Sequence, residues 1–400
     1  MKLTKSTWAV AGAALMLAAC GGGGDGDQKP RVAITSLVSF GDSLTDVGNA
    51  NVGTVELLQG GHWTVNSATA KNWTAYVAAQ YGLPAPCAAQ TGLTPSSTLT
   101  IAGFVGESIA DHPTCLNYAQ GSARVTNVYG PHSVALRTFL NTAVAAGYGD
   151  TTEPLGLTAL PITAQIDNHL ALHSFTGNEL VTVLAGANDI FMNLNGVSSA
   201  DTGGATAVGA AILAGWSGAD QAAVLVGGSA ATTAATTAAL TAMDTAAAEL
   251  AGYIQTKILA NGAKHVVVLN VPDVATSPFA LSMPLQVQQL INLMVRTFNT
   301  RLQTDLAGVT GVRIVDAYTN GRDQVANPAQ YGLTNVTTPA CSTTNAANPL
   351  AGSSLTCTAA TTINADTSHY LFSDSVHFTP FEYQLIGQLV SKELVIAGWL

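Results

Sequence analysis

Four apolar runs in which polar residues do not alternate regularly divide the chain into strand-sized pieces. They lie at 37–40, 179–185, 265–271 and 312–317. Runs such as Val181–Leu184 and Val266–Leu269 are typical of strands covered on both faces, because an exposed face would place a polar residue at every second position. Helical stretches separate the runs, so the pattern predicts an α/β fold with a parallel sheet and crossover helices.

The last helix is predicted to begin just after Thr379. Thr379 as N-cap, Pro380 at the first helical position and Glu382 at the third have the spacing of a capping box. Apolar residues then recur on one helical face, at Leu385, Ile386, Leu389 and Val390. This start places the preceding segment, 374–377, at the mouth of the helix.

Three segments interrupt the pattern and are predicted to be insertions, near 84–113, 198–250 and 335–365. The first is rich in Thr, Ser, Gly and Pro, which favours a loop. The second is an Ala/Thr/Gly tract with only four charged residues, and we interpret it as a long helical hairpin that covers the sheet. A membrane-touching surface is the alternative for this tract.

The first twenty residues have the composition of an export signal. Lys2 and Lys5 precede an apolar core that ends at Ala19 and is too short to span a membrane as a mature helix. Residues 17–20 resemble the bacterial lipobox, which implies a signal peptide at 1–19 and a lipidated Cys20; an ordinary cleavage site is the alternative. A flexible tether at 20–31 would then precede one domain at 32–400.

Composition and charge exclude some classes of protein. The 400 residues are 48% hydrophobic and 10% charged, which argues against disorder for most of the chain and allows a substantial core. The formal charge is −10, and no cluster of Lys and Arg follows Lys5. A nucleic-acid partner is therefore not expected.

Besides Cys20, the chain has four cysteines: Cys87, Cys115, Cys341 and Cys357. An even number in an exported protein favours two disulfides, for which three pairings are possible. We favour the pairing of sequence neighbours, Cys87 with Cys115 and Cys341 with Cys357. Four buried thiols are the alternative, and a zinc site is disfavoured because no Cys-x2-Cys spacing occurs.

Nucleophilic chemistry is expected at the turn after the first apolar run. The sequence Phe-Gly-Asp-Ser-Leu-Thr-Asp-Val-Gly-Asn at 40–49 presents the Ser43 hydroxyl where an α/β sheet places a nucleophile. A Gly-Asp-Ser-Leu tetrapeptide alone could equally be a strand-to-helix turn. The longer pattern resembles the first sequence block of the GDSL, or SGNH, hydrolases. Asp46 and Asn49 are expected to brace this turn by hydrogen bonds.

A base for Ser43 is expected near the end of the chain. Asp374 and His377 have a spacing that lets the carboxylate orient the imidazole, but Asp366 and His369 have the same spacing. Residues 370–380 resemble the last block of the family, and the resemblance selects His377 as the base and Asp374 as its partner. Two positions depart from the family pattern, since Phe378 replaces the usual proline and Ser373 a common tryptophan.

Two further segments resemble the blocks that form the oxyanion hole in this family. At 185–189, the resemblance implies that Asn188 donates its side-chain amide; at 117–123, it implies that the N–H of Gly121 joins that of Ser43. A turn asparagine and a turn glycine are the alternatives. His169 and His173 share no zinc motif and are predicted to lie on a solvated helix face.

The resemblance covers five places in the expected order, including 60–63 with 72–76, and 331–341, and looks especially like the secreted and outer-membrane bacterial branch. It implies a flavodoxin-like three-layer α/β/α domain with about five strands. It also implies a carboxylic ester hydrolase, an esterase or lipase, that forms an acyl-enzyme without metal or cofactor. Phospholipase, lipid acyltransferase and carbohydrate deacetylase are alternatives, as is a non-catalytic surface adhesin. The expected substrate is a small-molecule or lipid ester, and the expected location is the cell envelope, as an outer-membrane lipoprotein or a secreted protein.

Overall fold

The computed structural model describes residues 32–95, 104–145 and 155–400. The predicted signal peptide, Cys20 and the tether lie outside these residues. The strands of the described chain are β1 (Ser36–Gly41), β2 (Gln90–Pro95), β3 (Glu107–Asp111), β4 (Leu155–Leu157), β5 (Glu179–Leu184), β6 (His265–Leu269) and β7 (Val312–Val315).

The same part of the chain contains twelve α-helices. They are α1 (Gly53–Leu57), α2 (Trp73–Gln80), α3 (Val134–Ala145), α4 (Ile162–Leu172), α5 (Ala187–Ala200), α6 (Gly204–Ala214), α7 (Gly218–Val224), α8 (Gly228–Tyr253), α9 (Pro278–Leu281), α10 (Leu285–Leu306), α11 (Ala317–Ala326) and α12 (Pro380–Ala397).

A parallel sheet in the order β1–β5–β6–β7 forms the centre of the molecule, and each predicted apolar run supplies one of its strands. Every residue of β5 is buried, as expected for a strand covered on both faces. One core cluster joins this sheet to α4, α5, α8 and α10, and a second joins it to α2 and α12. The chain is therefore a three-layer α/β/α sandwich.

The central sheet of the described residues has four strands, where the resemblance implied about five. Residues 116–120 lie beside β1. Ser39 N–H donates to the carbonyl of Leu116 at 2.9 Å, and Tyr118 N–H donates to the carbonyl of Ser39 at 2.8 Å. The pairing amounts to a single parallel bridge between Ser39 and Asn117. The Asn117 side chain accepts from Ala119 N–H at 3.1 Å, and such a local turn competes with a regular strand.

The Ala/Thr/Gly tract forms α6, α7 and α8, and not the two-helix hairpin that was predicted. Glycines in positive φ separate these helices, at Gly215 (86°) and Gly227 (73°). The face of α8 that turns inward is made mostly of alanine, which allows α5 and α10 to pack closely against it.

Helix α12 begins where it was predicted, but its capping box is only half formed. Thr379 Oγ1 accepts from Glu382 N–H at 3.2 Å. The reciprocal bond is absent, because Thr379 N–H donates to the carbonyl of Leu371 at 3.0 Å. The carboxyl group of Glu382 is therefore not used in the cap.

Two disulfides join Cys87 to Cys115 and Cys341 to Cys357, which are the sequence-adjacent pairs. The insertion near 84–113 contributes β2 and β3 to a small antiparallel sheet with β4, in the order β3–β2–β4. Disulfides persist in oxidising compartments, so they indicate an extracellular or envelope protein. Across residues 32–95, 104–145 and 155–400, no helix is both long and apolar enough to cross a membrane.

The prediction of a solvated face for His169 is wrong. This side chain is only 2% exposed and packs against Phe40, Tyr118 and Phe175. Helix α4 turns this face toward β1, so the helical spacing of His169 and His173 gave no information about exposure. Burial lowers the pKa of His169 to about 4, with the nearby His173 adding to the effect, so it is a neutral core residue.

Candidate active site

Ser43 lies in the turn that leaves the carboxyl end of β1. The side chain of Gln165 holds this turn, because it accepts from Gly41 N–H and donates to the carbonyl of Gly41, both at 2.9 Å. A Cβ on Gly41 would lie 2.8 Å from Thr45, so glycine is needed for the close turn. Ser43 is 9% exposed, and it lines a cavity.

The side chains of Ser43, His377 and Asp374 form a connected line. His377 Nε2 lies 2.9 Å from Ser43 Oγ, and His377 Nδ1 lies 2.8 Å from Asp374 Oδ2. The other oxygen of Asp374 accepts the backbone N–H of His377 at 2.8 Å. The short turn before α12 therefore fixes the carboxylate and the imidazole as one unit.

Asp374 is also held from the disulfide-closed loop. Its Oδ2 accepts from Ser354 N–H at 2.9 Å, and Ser354 lies between Cys341 and Cys357. Although burial acts to raise its pKa, the charge of His377 and these hydrogen bonds together hold the pKa of Asp374 well below its usual range. The carboxylate is therefore ionised wherever His377 can act as a base.

The second Asp-x-x-His pair lies away from Ser43. His369 Nδ1 lies 2.7 Å from the carbonyl of Gly332, and its ring stacks on Phe381. Asp366 bonds to Ser368 instead of the histidine. Of the two Asp-x-x-His pairs, only Asp374 and His377 lie next to Ser43.

The departures from the family pattern near His377 are accommodated by Ser373. Its hydroxyl donates to the carbonyl of Phe378 at 2.8 Å and accepts from Val65 N–H at 3.0 Å. Ser373 is fully buried. Ser373 therefore connects the segment around His377 to the segment that carries Trp63.

Trp63 packs against the histidine from the other side. Its ring centroid lies 4.7 Å from that of His377, and its Nε1 donates to Asp46 Oδ2 at 3.1 Å. Asp46 Oδ1 accepts from the N–H groups of Gly48 and Asn49, so the carboxylate braces the serine turn as expected. Burial raises the pKa of Asp46 to about 6, against the effect of these hydrogen bonds.

Gly121 occupies a different role from the one predicted. Its N–H donates to Asp46 Oδ2 at 3.0 Å and so is not free to reach a substrate oxygen. A Cβ at this position would lie 2.4 Å from the Trp63 ring, which explains why the residue is glycine. In the same turn, Ser122 lines the cavity, and its N–H makes no hydrogen bond within the described chain.

Ser122 is the residue that sequence reasoning missed. It adopts a φ of 71°, a conformation that favours glycine, and it directly follows the glycine that the family pattern indicated. Which of two adjacent N–H groups is free depends on Asp46, which lies 75 residues earlier.

Asn188 reaches the same cavity from the start of α5. Its Nδ2 donates one hydrogen to the carbonyl of Ala123 at 2.9 Å, and the amide has a second hydrogen to offer. The neighbouring Asp189 pairs with Arg124 at 2.8 Å, with both side chains almost completely buried. This ion pair fixes the distance between the two segments that carry Ser122 and Asn188.

The cavity beside Ser43 has a volume of about 560 Å³ and runs along the carboxyl ends of the parallel strands. One group of lining residues comes from α3, α5 and α6, and is apolar except for Asn188 and Asn195. A second group comes from α11, α12 and the segment before α12. Its polar side chains are Asn320, Gln324, Ser375, His377 and Glu382. Within residues 32–95, 104–145 and 155–400, no group of His, Cys, Asp and Glu could hold a metal ion.

The family model described as GDSL-like Lipase/Acylhydrolase matches residues 37–390, which include every residue of the site. No curated protein matches the chain.

Proposed function

This chain belongs to the GDSL-like lipase/acylhydrolase family and is therefore a hydrolase, and from this premise we propose that it cleaves carboxylic esters through a serine acyl-enzyme. The observation that carries the proposal is the line of contacts from Ser43 Oγ through His377 to Asp374. A hydroxyl, a base and an orienting carboxylate in this order are the parts needed for acyl transfer.

In the proposed reaction, His377 Nε2 takes the proton of Ser43 as the hydroxyl oxygen attacks the ester carbonyl. Asp374 accepts the hydrogen bond of Nδ1–H, so Nε2 is the nitrogen with a free lone pair. The imidazolium then returns the proton to the departing alcohol. Water, activated by the same imidazole, attacks the acyl-enzyme and releases the acid and Ser43.

For the oxyanion hole, we replace the predicted Gly121 by Ser122. Three donors have no partner among the described residues that would compete for the oxyanion: the N–H of Ser43, the N–H of Ser122 and the second hydrogen of the Asn188 amide. All three residues line the same cavity. Preorganised donors of this kind stabilise the charge that develops on the carbonyl oxygen.

The lining of the cavity favours an ester with a substantial apolar part. Leu136, Leu140, Phe191, Met192 and Leu213 all contribute side chains. A lipid ester, as in a lipase, phospholipase or lipid acyltransferase, fits this lining better than the acetyl group of a carbohydrate does.

The test of the serine is Ser43→Ala together with covalent labelling by a fluorophosphonate. We expect the wild type to label and hydrolyse a short aryl ester, and Ser43→Ala to lose both, with kcat lower by several orders of magnitude. The paired controls are His377→Ala, expected to be inactive, and His369→Ala, expected to keep most of its activity. A wild type that is folded yet never labels would instead support a surface adhesin.

We also propose that the protein is exported and anchored through a lipid on Cys20. The lipobox resemblance at 17–20 and the two disulfides support this location. Cys20→Ser should move the protein from the membrane fraction to the soluble fraction without lowering its specific activity on a soluble ester. Unchanged membrane fractionation of the variant would exclude the anchor.

A further inference from the structure

Trp63 meets the proposed base, His377, with the face of its ring. The centroids of the two rings lie 4.7 Å apart and their planes are inclined by 30°, so the imidazole lies over the indole. Trp63 is 7% exposed, and the side chain of His377 is 13% exposed. Water is therefore largely excluded from the contact between the two rings.

The orientation of the indole is fixed by hydrogen bonds. Its Nε1 donates to Asp46 Oδ2 at 3.1 Å, and the hydroxyl of Tyr383 donates to the carbonyl of Trp63 at 3.2 Å. Gly121 leaves room for the ring, because a Cβ at this position would lie 2.4 Å from it. The ring face is therefore held against His377 from several directions.

The contact becomes stronger when His377 is charged. The face of an aromatic ring carries partial negative charge and attracts a cation within about 6 Å of its centroid, and tryptophan does so best. The hydrogen bond from Nε1 adds to this negative charge when the Asp46 carboxyl is ionised. The ring face therefore favours the imidazolium over the neutral imidazole.

This difference between the two charge states bears on the rate of the reaction. An interaction that is stronger in the transition state than in the ground state raises kcat. The imidazolium forms only as Nε2 takes the proton of Ser43, at a distance of 2.9 Å. On the Nδ1 side, the charge of Asp374 already stabilises it. The Trp63 ring adds a second stabilising contact, on the face of the imidazole.

We propose that Trp63 is a positioning residue that stabilises the imidazolium of His377 through its ring face and thereby raises kcat. The inference rests on the proposed function, because it assigns Trp63 a part in that same reaction. Two carboxyl groups besides Asp46 act on the charge of His377: Asp374 at Nδ1, and Asp42. Both are kept in the variants that test the proposal.

The test compares Trp63→Phe with Trp63→Leu. Both variants lose the hydrogen bond to Asp46, but only phenylalanine keeps a ring face. On a short aryl ester, we expect kcat to fall by about threefold or more in Trp63→Leu and by less in Trp63→Phe. The acidic limb of the kcat/KM profile should move to lower pH by about half a unit or more in Trp63→Leu, and by less in Trp63→Phe, because the protonated imidazole has lost a stabilising contact.

An NMR titration of the His377 ring in a Ser43→Ala background measures the same shift without substrate. Trp216→Leu is the matched control. Trp216 is also buried, and its Nε1 donates to Asn193 Oδ1 at 2.6 Å, but it is not among the residues that line the cavity. This variant should lower the Tm and leave the acidic limb and the NMR midpoint in place.

Two results would overturn the role of the ring. Equal shifts in Trp63→Phe and Trp63→Leu would assign the effect to the hydrogen bond with Asp46, and the absence of a shift in both would leave Trp63 with packing alone. A wild type that neither labels at Ser43 nor cleaves an ester would instead overturn the proposed function, whatever the NMR titration shows.

Discussion

At the scale of single residues, Asp46 connects the parts of the site that the sequence keeps apart. One carboxylate oxygen holds the serine turn, and the other holds both the Trp63 indole and Gly121 N–H. Trp63 in turn lies against the His377 ring. The position of the histidine therefore depends on residues that take no part in proton transfer.

Gly121 and Ser122 give a prediction about packing beside the catalytic residues. Gly121→Ala should lower kcat by about tenfold or more, because the new methyl group would collide with the Trp63 ring that contacts His377. Ser122→Gly should keep most of the activity, because it retains the N–H and suits a φ of 71°. Steady-state kinetics on a short aryl ester would measure both.

The opposite ranking would mean that the Ser122 side chain matters for activity and that the close approach of residue 121 to the Trp63 ring does not. Thermal unfolding provides the control, since Gly121→Ala should also lower the Tm, whereas Ser122→Gly should change it little.

The residues of the site were predictable from sequence to different degrees. The structure brings Ser43, His377 and Asp374 together as the family pattern implied, because each belongs to a short segment with its own local geometry. The donor that we propose beside Gly121 could not be predicted, because a contact across 75 residues decides which N–H is free. The prediction that His169 is exposed was wrong for a similar reason, since helical spacing does not say which face of α4 packs on the sheet.

At the scale of elements, unbroken apolar runs predicted the central strands and a capping signal predicted the start of α12. The resemblance implied about five strands and the described sheet has four, because the segment beside β1 makes only one bridge, where the Asn117 side chain bonds locally. The long alanine tract was expected to be two helices, and glycines in positive φ divide it into three. Composition predicts well which segments are helical. The point at which one helix ends and the next begins depends on the backbone conformation of single residues.

The loop closed by Cys341 and Cys357 gives a prediction at this scale. Replacing both cysteines by serine should lower kcat by about tenfold, because Ser354 N–H in this loop fixes Asp374 Oδ2. Closing such a loop is worth about 3 kcal/mol in the chain-entropy model, so the free energy of unfolding should fall as well. Kinetics and urea unfolding of the double variant would measure the two effects.

The matched control is the replacement of Cys87 and Cys115 by serine. That disulfide closes a different loop, so its loss should reduce stability while kcat is affected less. Equal losses of kcat in the two double variants would contradict the role of Ser354.

At the scale of the whole molecule, buried acids set the dependence of stability on pH. Burial raises the pKa of Asp42 to about 7, that of Asp46 to about 6 and that of Glu382 to about 8. In the unfolded chain these groups release their protons near pH 4. Between those values the folded state binds more protons than the unfolded state, so the free energy of unfolding should decrease as pH rises from 5 to 8.

Glu382→Gln tests this dependence. The variant should show a shallower decrease over the same range, by up to about 1.4 kcal/mol per pH unit, because one of the three groups no longer titrates. Urea unfolding at several pH values would give the slopes. Glu56→Gln, at an exposed site, is the control and should follow the wild type. Parallel curves for wild type and Glu382→Gln would show that this carboxyl ionises alike in both states.

The link from Ser354 to Asp374 also bears on when the enzyme becomes active. A newly made chain in a reducing cytoplasm carries Cys341 and Cys357 as thiols, and its loop is not yet closed. Full activity would then arise only once oxidation after export completes the support of the carboxylate. The cell that makes the protein would thus meet about a tenth of its full kcat during synthesis, as expected of the double cysteine variant.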